Sequence, residues 1–186
     1  MQPGAPGQAS RVISASQAAD IPVIRHTAAD VRFMQGMIGH HAQALEMTAL
    51  VASRTSNEDI LKLAERIRLS QDDEIGMMQE WLRTRGEGLP DPHAHHTPGA
   101  TLMPGMLSAG DMARLSAAKG PEFDRLFLEY MIKHHEGALT MVKELFDTPG
   151  AGQEPDVFAF ASDVDSDQRM EIDRMAALLK PKEPSK

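Results

Sequence analysis

Two pairs of adjacent histidines carry the densest chemistry in the sequence. His40-His41 is bracketed by Met37 and Met47, and His134-His135 by Met131 and Met141. Thioether with imidazole and no thiolate suits Cu(I), with Ag(I) as its soft analogue, and imidazole-rich subsites also accept Cu(II) or Zn(II). The chain has no cysteine, which removes disulfides, thiolate sites and Cys nucleophiles and leaves Met sulfur as the only soft ligand. Thirteen methionines outnumber the six Phe, one Trp and one Tyr combined, so sulfur serves either soft packing or soft ligation. A di-iron site in a helical bundle needs Glu three residues before its histidines. Positions 37 and 131 hold Met instead, and none of the eight histidines has Glu at that spacing. The zincin pattern His-Glu-x-x-His is also missing.

A second group follows in mid-chain: His93, His95 and His96, then Met103 and Met106 in Met-Pro-Gly-Met. A His-rich tract in a flexible connector can capture Cu(II), Zn(II) or Ni(II), and the Met pair would hand Cu(I) inward. His26 and Trp81 read as structural, and Met77, Met112 and Met170 as packing.

These residues must be positioned by helices. Apolar residues recur at helical spacing from a Thr27-x-x-Asp30 capping box and predict a helix over 28–53. A second start at Ser56-x-x-Asp59 predicts 57–84, closed by Gly86 and Gly88. Pro121 opens a helix over 121–146 and Pro155 one over 155–180, with a short helix at 109–119 between the hairpins. No segment alternates with period two, so no strands are expected. The expectation is an all-α four-helix bundle over 27–180, with a flexible arm at 1–26, a linker at 86–120 and a tail at 181–186.

The halves 27–85 and 121–180 repeat each other. A shift of 94 superposes Asp30, Phe33, Met37, Ile38, His40, His41, Ala44, Leu45 and Met47 on Asp124, Phe127, Met131, Ile132, His134, His135, Ala138, Leu139 and Met141. A shift of 97 superposes Gln71, Glu74, Ile75 and Met78 on Gln168, Glu171, Ile172 and Met175. At about 100° per residue, Asp30, Phe33, His40, His41, Ala44 and Met47 fall on the Met37 face, so both histidines point inward. Buried polar groups cost free energy unless paired. Two explanations stand: each His bonds a carboxylate of a neighbouring helix, or His and Met converge on a metal with Asp30, Glu74, Asp124 and Glu171 orienting the rings.

The 19 Lys and Arg against 27 Asp and Glu give a net charge of −8, which argues against nucleic-acid binding. No run is long and apolar enough for a membrane span, no signal peptide is read at the N-terminus, and the oligomeric state is not legible.

The doubled Met-Ile-x-His-His-x-x-Ala motif, with the linking Met-Pro-Gly-Met, resembles the bacterial domain of unknown function 305 family over residues 27–180. The resemblance implies a ferritin-like bundle, export to the periplasm, cell surface or medium, and copper binding. The ligands it implies are Met37, His40, His41, Met47, Met131, His134, His135 and Met141. Three functions follow as expectations: a protein that sequesters or carries copper, a structural or interaction bundle whose His and Met only pack, and a copper-dependent redox enzyme such as a cuprous oxidase.

Overall fold

The computed structural model describes residues 24–97 and 99–180. The expected arm and tail otherwise lie outside the described residues. Four long helices, α1 (Ala28–Arg54), α2 (Glu58–Thr84), α4 (Gly120–Asp147) and α5 (Pro155–Leu179), form two hairpins joined by a crossover that carries the short α3 (Ala109–Ala117). Every described helix is α or 3-10 and no described residue is in a strand. The capping box at Thr27 and Asp30 is present as read. The start of α2 differs by one residue: Asn57, not Ser56, accepts from the Asp59 N–H at 3.1 Å. Glu154 caps α5 from the residue before Pro155, accepting from the Val157 N–H.

The core is split into two apolar clusters. The first joins Phe33, Met37 and Ile38 of α1 and Met78 of α2 to Met141, Val142 and Leu145 of α4 and Phe160 and Val164 of α5. The second joins Met47 and Val51 of α1 and Ile60, Leu63 and Ile67 of α2 to Phe127 and Met131 of α4 and Met175 of α5. The clusters exchange members under the sequence repeat: Met37 of the first corresponds to Met131 of the second, and Met47 of the second to Met141 of the first. The N-terminal half of α1 thus shares a cluster with the C-terminal half of α4, so the two run antiparallel about a pseudo-twofold axis. Between the clusters lies a polar layer: His40 and His41, Gln71 and Glu74, His134 and His135, Gln168 and Glu171. Of these only Glu74 is not fully buried.

Two methionines read as packing are not: Met77 is 53% exposed and Met170 52%. Each lies off the buried stripe of its helix, Met77 about 100° round from the buried Met78, and Met170 about 100° from Glu171. Met112 does pack, against the second cluster, and Trp81 is buried with its indole N–H directed at Glu154. His26 packs edge-on against Trp81 and bonds Glu87.

The crossover is seated on the bundle by Met103-Pro104-Gly105-Met106. The Met106 N–H bonds the Met103 carbonyl at 3.2 Å, and Gly105 takes φ +76°, as the second central residue of a type II turn after proline does. The turn lies directly on α4: a Cβ at Gly137 would be 2.0 Å from the Pro104 oxygen, and one at Gly105 2.5 Å from the Lys133 oxygen. Gln43 of α1 holds the next residues, donating to the Leu107 carbonyl at 3.0 Å and accepting from its N–H at 2.7 Å. Gln43 and Gly137 occupy equivalent repeat positions, and both are adapted to the one crossover.

Candidate metal centre

The middle of the bundle is built around the two His pairs, which fall in the gaps that the apolar periodicity of α1 and α4 leaves between clusters. The His40 and His134 rings face each other across the pseudo-twofold axis, 3.8 Å between centroids and 36° between planes. The outer rings are held within their own hairpins: His41 Nε2 is 2.5 Å from Glu74 Oε2, and His135 Nε2 is 2.7 Å from Glu171 Oε2. His40 Nε2 is 3.0 Å from the Pro104 carbonyl of the crossover turn. Carbonyl and carboxylate oxygens only accept, so the hydrogen-bond network assigns the proton of these three rings to Nε2. In His40, which burial keeps neutral, the lone pair is then on Nδ1. The Nδ1 atoms of all three rings, and both nitrogens of His134, are buried without a hydrogen-bond partner.

Electrostatics keeps the central pair neutral. Burial holds the His40 imidazole down at about 3, reinforced by the neighbouring His41 and opposed by the Pro104 carbonyl. Burial, then repulsion from the facing His40, pushes His134 well below the ordinary histidine value. Glu74 is raised by burial but lowered more by the His41 hydrogen bond and charge and by Ser70, so it stays a carboxylate. Lone pairs of the central pair are therefore free of proton competition at neutral pH.

The methionines are divided. Met37 and Met141 lie in the first cluster and Met131 and Met47 in the second, so the polar layer has two thioethers on each side. Met37 and Met131 are one turn from His40 and His134, while Met47 and Met141 are two turns away, about 10 Å of helix rise. The carboxylates are divided as well. Glu74 and Glu171 meet imidazoles, but Asp30 and Asp124 have another task. Asp30 accepts from the Thr27 N–H at 2.6 Å and from the Gly152 N–H at 2.7 Å, and Asp124 accepts from the Asn57 amide at 3.0 Å. Each aspartate thus ties its helix start to the loop of the opposite hairpin, ten residues and about 15 Å of rise from the histidines.

The crossover holds a second cluster. His93 Nδ1, His95 Nε2 and His96 Nε2 lie 3.0, 3.4 and 2.8 Å from one oxygen, Glu46 Oε1 of α1. Among the described residues this is the one group of three or more His or carboxylate ligand atoms mutually within 4.8 Å; the four bundle histidines do not form such a group. Glu46 had no signal in the sequence, since its repeat counterpart is Thr140 and it lies about 180° round α1 from Met37. Met103 does not extend this cluster: its thioether lies over Gly36 and Gly39 of α1, against the first apolar cluster. Met106 is buried in the turn.

The profile of the domain of unknown function DUF305 matches residues 30–179, a span that holds both His pairs, the crossover and all but the first two residues of the four long helices. This chain belongs to the DUF305 family. Its fold is shared by a DUF305 fragment from Deinococcus radiodurans, 33% identical, TM-score 0.72, over 83% of this chain and 97% of that one. A DUF305 protein from Streptomyces coelicolor, inferred to be secreted, is 32% identical with TM-score 0.68, over 81% and 90%. CopM, solved in a Cu(II)-bound and a Cu(I)-bound form, is 25% and 26% identical with TM-scores of 0.67 and 0.63, covering 81% and 80% of this chain and 95% and 94% of CopM. A stretch of 56 residues is 38% identical to the uncharacterized protein L153 of Acanthamoeba polyphaga mimivirus, spanning 30% of this chain and 37% of that protein.

Proposed function

We propose that this protein binds copper and sequesters or carries it as Cu(I), through the central His layer and the methionines that border it. The observation that carries this reading is the set of buried, unpartnered imidazole nitrogens on His40, His41, His134 and His135. An unpaired buried polar atom costs about 1–3 kcal/mol, and a soft cation is the partner that neutral imidazole and thioether would share. The residues fit such an ion as mixed sites. Because the four histidines do not gather as a single nitrogen cluster, the metal takes nitrogen together with sulfur, from Met37 and Met141 on one side or Met131 and Met47 on the other. Glu74 and Glu171 fix the orientation of His41 and His135 from outside, and the Pro104 carbonyl does the same for His40. That CopM has been solved with Cu(I) and with Cu(II) supports copper as the cargo. The likeness to a relative inferred to be secreted supports export, where copper is met outside the reducing cytosol; among the described residues no helix is long and apolar enough to cross a membrane.

An anaerobic Cu(I) titration against a chromophoric competitor tests the proposal. The expected result is strong uptake that collapses when His40, His41, His134 and His135 become Ala, and weakens in the milder M37L/M131L variant, which keeps core volume. Ag(I) at a hundred times its Kd should stabilise the protein by about 2.7 kcal/mol. A second reading, that the layer only packs, is favoured by the two Glu-paired histidines. It requires a melting temperature indifferent to Ag(I) and unchanged Cu(I) affinity in both variants.

A further inference from the structure

We propose that the crossover carries a separate metal site of harder chemistry, in which Glu46 of α1 and His93, His95 and His96 take a borderline divalent cation, Zn(II) or Cu(II), and thereby fasten the crossover to α1.

The donor set is the first argument. Three imidazole nitrogens and one carboxylate oxygen, all within 4.8 Å of one another, present four ligand atoms with no sulfur among them. That is the ligand count of a closed zinc site, and nitrogen with oxygen is the preference of borderline divalent ions rather than of Cu(I). The second argument is oversupply. Three rings converge on one oxygen of Glu46, more donors than its two lone pairs accept. His93 and His96 take hydrogen bonds there at 3.0 and 2.8 Å. His95 takes none: its side chain is only 5% exposed, and both of its ring nitrogens are buried without a hydrogen-bond partner although Nε2 is aimed at Glu46 from 3.4 Å. A contact that served only to dock the crossover would need one of these histidines. A cation at the focus would satisfy all three and the carboxylate together.

The backbone is already shaped for this. His93 to His96 are wound into one 3-10 turn, closed by the His96 N–H on the His93 carbonyl at 2.9 Å and started by Asp91, whose side chain accepts from the His93 N–H at 2.9 Å. Metal–nitrogen bonds of about 2.0–2.1 Å therefore require side-chain movement of roughly an ångström and no refolding. Access also differs from that of the bundle layer. His93 and His96 are 60% and 58% exposed, whereas the four bundle histidines are fully buried. The Glu46 pairings tie the crossover to α1 alongside Gln35–Gly88, His40–Pro104 and Gln43–Leu107, and they are the tie built wholly of side chains that could ligate an ion.

Zn(II) is the probe, because it is redox-inert and has no preference for thioether. Competition titration of the full chain should show one tight Zn(II) equivalent. In H93A/H96A, which alters two exposed side chains, affinity should fall by at least about 100-fold, beyond the 10–100-fold typical of a group that only orients a ligand. Glu46→Gln should weaken binding about 10-fold, and helical circular dichroism should be unchanged in both. H134A, which alters the bundle layer alone, should keep the Zn(II) equivalent, so this site and the proposed Cu(I) layer succeed or fail independently. Zn(II) should also slow amide exchange over residues 92–100 in the native chain and not in H93A/H96A. Zn(II) affinity in H93A/H96A within twofold of native, or Zn(II) uptake that leaves exchange of the crossover unaltered, overturns the proposal.

Discussion

Replacing Gly137 by Ala isolates the contact that seats the crossover over the His layer. In the middle of a solvated helix the change would be favourable, since Ala exceeds Gly in helix propensity by about 1 kcal/mol. Gly137 is not in such a place. Its Cβ would lie 2.0 Å from the Pro104 oxygen, 2.4 Å from the Pro104 carbon and 2.6 Å from Gly105 Cα, all backbone atoms. Ordinary contact begins near 3.4 Å, so the turn must withdraw by more than an ångström. Its carbonyl then leaves His40, whose Nε2–H is stranded in the core at about 1–3 kcal/mol. The Gln43–Leu107 pair three residues on is strained as well, at about 0.5–1.5 kcal/mol for one bond lost. Against about 1 kcal/mol of helix propensity the net loss is roughly 2 kcal/mol, which lowers the melting temperature of a chain this size by about 4–8 °C. Gly76 of α2, where an added Cβ meets nothing within 4 Å, is the control, and Gly76→Ala should stabilise by about 0.5–1 kcal/mol. Urea denaturation and calorimetry of the two variants make the comparison. If Gly137→Ala proves as stable as Gly76→Ala, the turn does not rest on α4 and the account of His40's partner fails.

The depressed His40 and His134 predict acid sensitivity in metal-free protein. The unfolded chain protonates both near pH 6.5 while the native state does not, so the unfolded state binds more protons and stability falls as pH drops below that value. The slope approaches about 1.4 kcal/mol per pH unit for each ring, continuing toward the folded value of about 3 for His40. The lowered Glu74 adds loss of the same sign below its unfolded pKa, about 4.3. Urea midpoints at pH 7, 6 and 5 measure this, and a flat profile would show that the layer is hydrated or already protonated. Asp30→Ala removes the bonds that its carboxylate accepts from the Thr27 and Gly152 N–H groups, while the Thr27 hydroxyl still accepts from the N–H of residue 30; it should cost about 2–3 kcal/mol in denaturation while leaving Cu(I) stoichiometry intact. Lost copper uptake with intact stability would return Asp30 to the site.

Much of this architecture is local and therefore legible in one dimension. Helix starts at Thr27 and Pro155, the inward stripe through Met37, His40, His41 and Met47, and the repeat under a shift of 94 all follow from a period of 3.6 residues and side-chain type. The pairing of His41 with Glu74 and His135 with Glu171 followed from the same stripes once two helices formed a hairpin. The crossover has no such period. Where it lands depends on contacts 47 to 64 residues apart in sequence: Glu46 with His93 and His96, Gln43 with Leu107, His40 with Pro104. Two of those partners, Pro104 and Leu107, offer only their backbone, which no residue type announces. Tertiary structure also decided that antiparallel α1 and α4 place like methionines on opposite sides of the His layer. By itself the sequence determined a doubled helical hairpin with histidines inside. Folding decided that they divide into a buried layer bordered by sulfur and an exposed nitrogen–oxygen cluster, because helical periodicity sets a residue's face but only the packing of distant segments sets its neighbours.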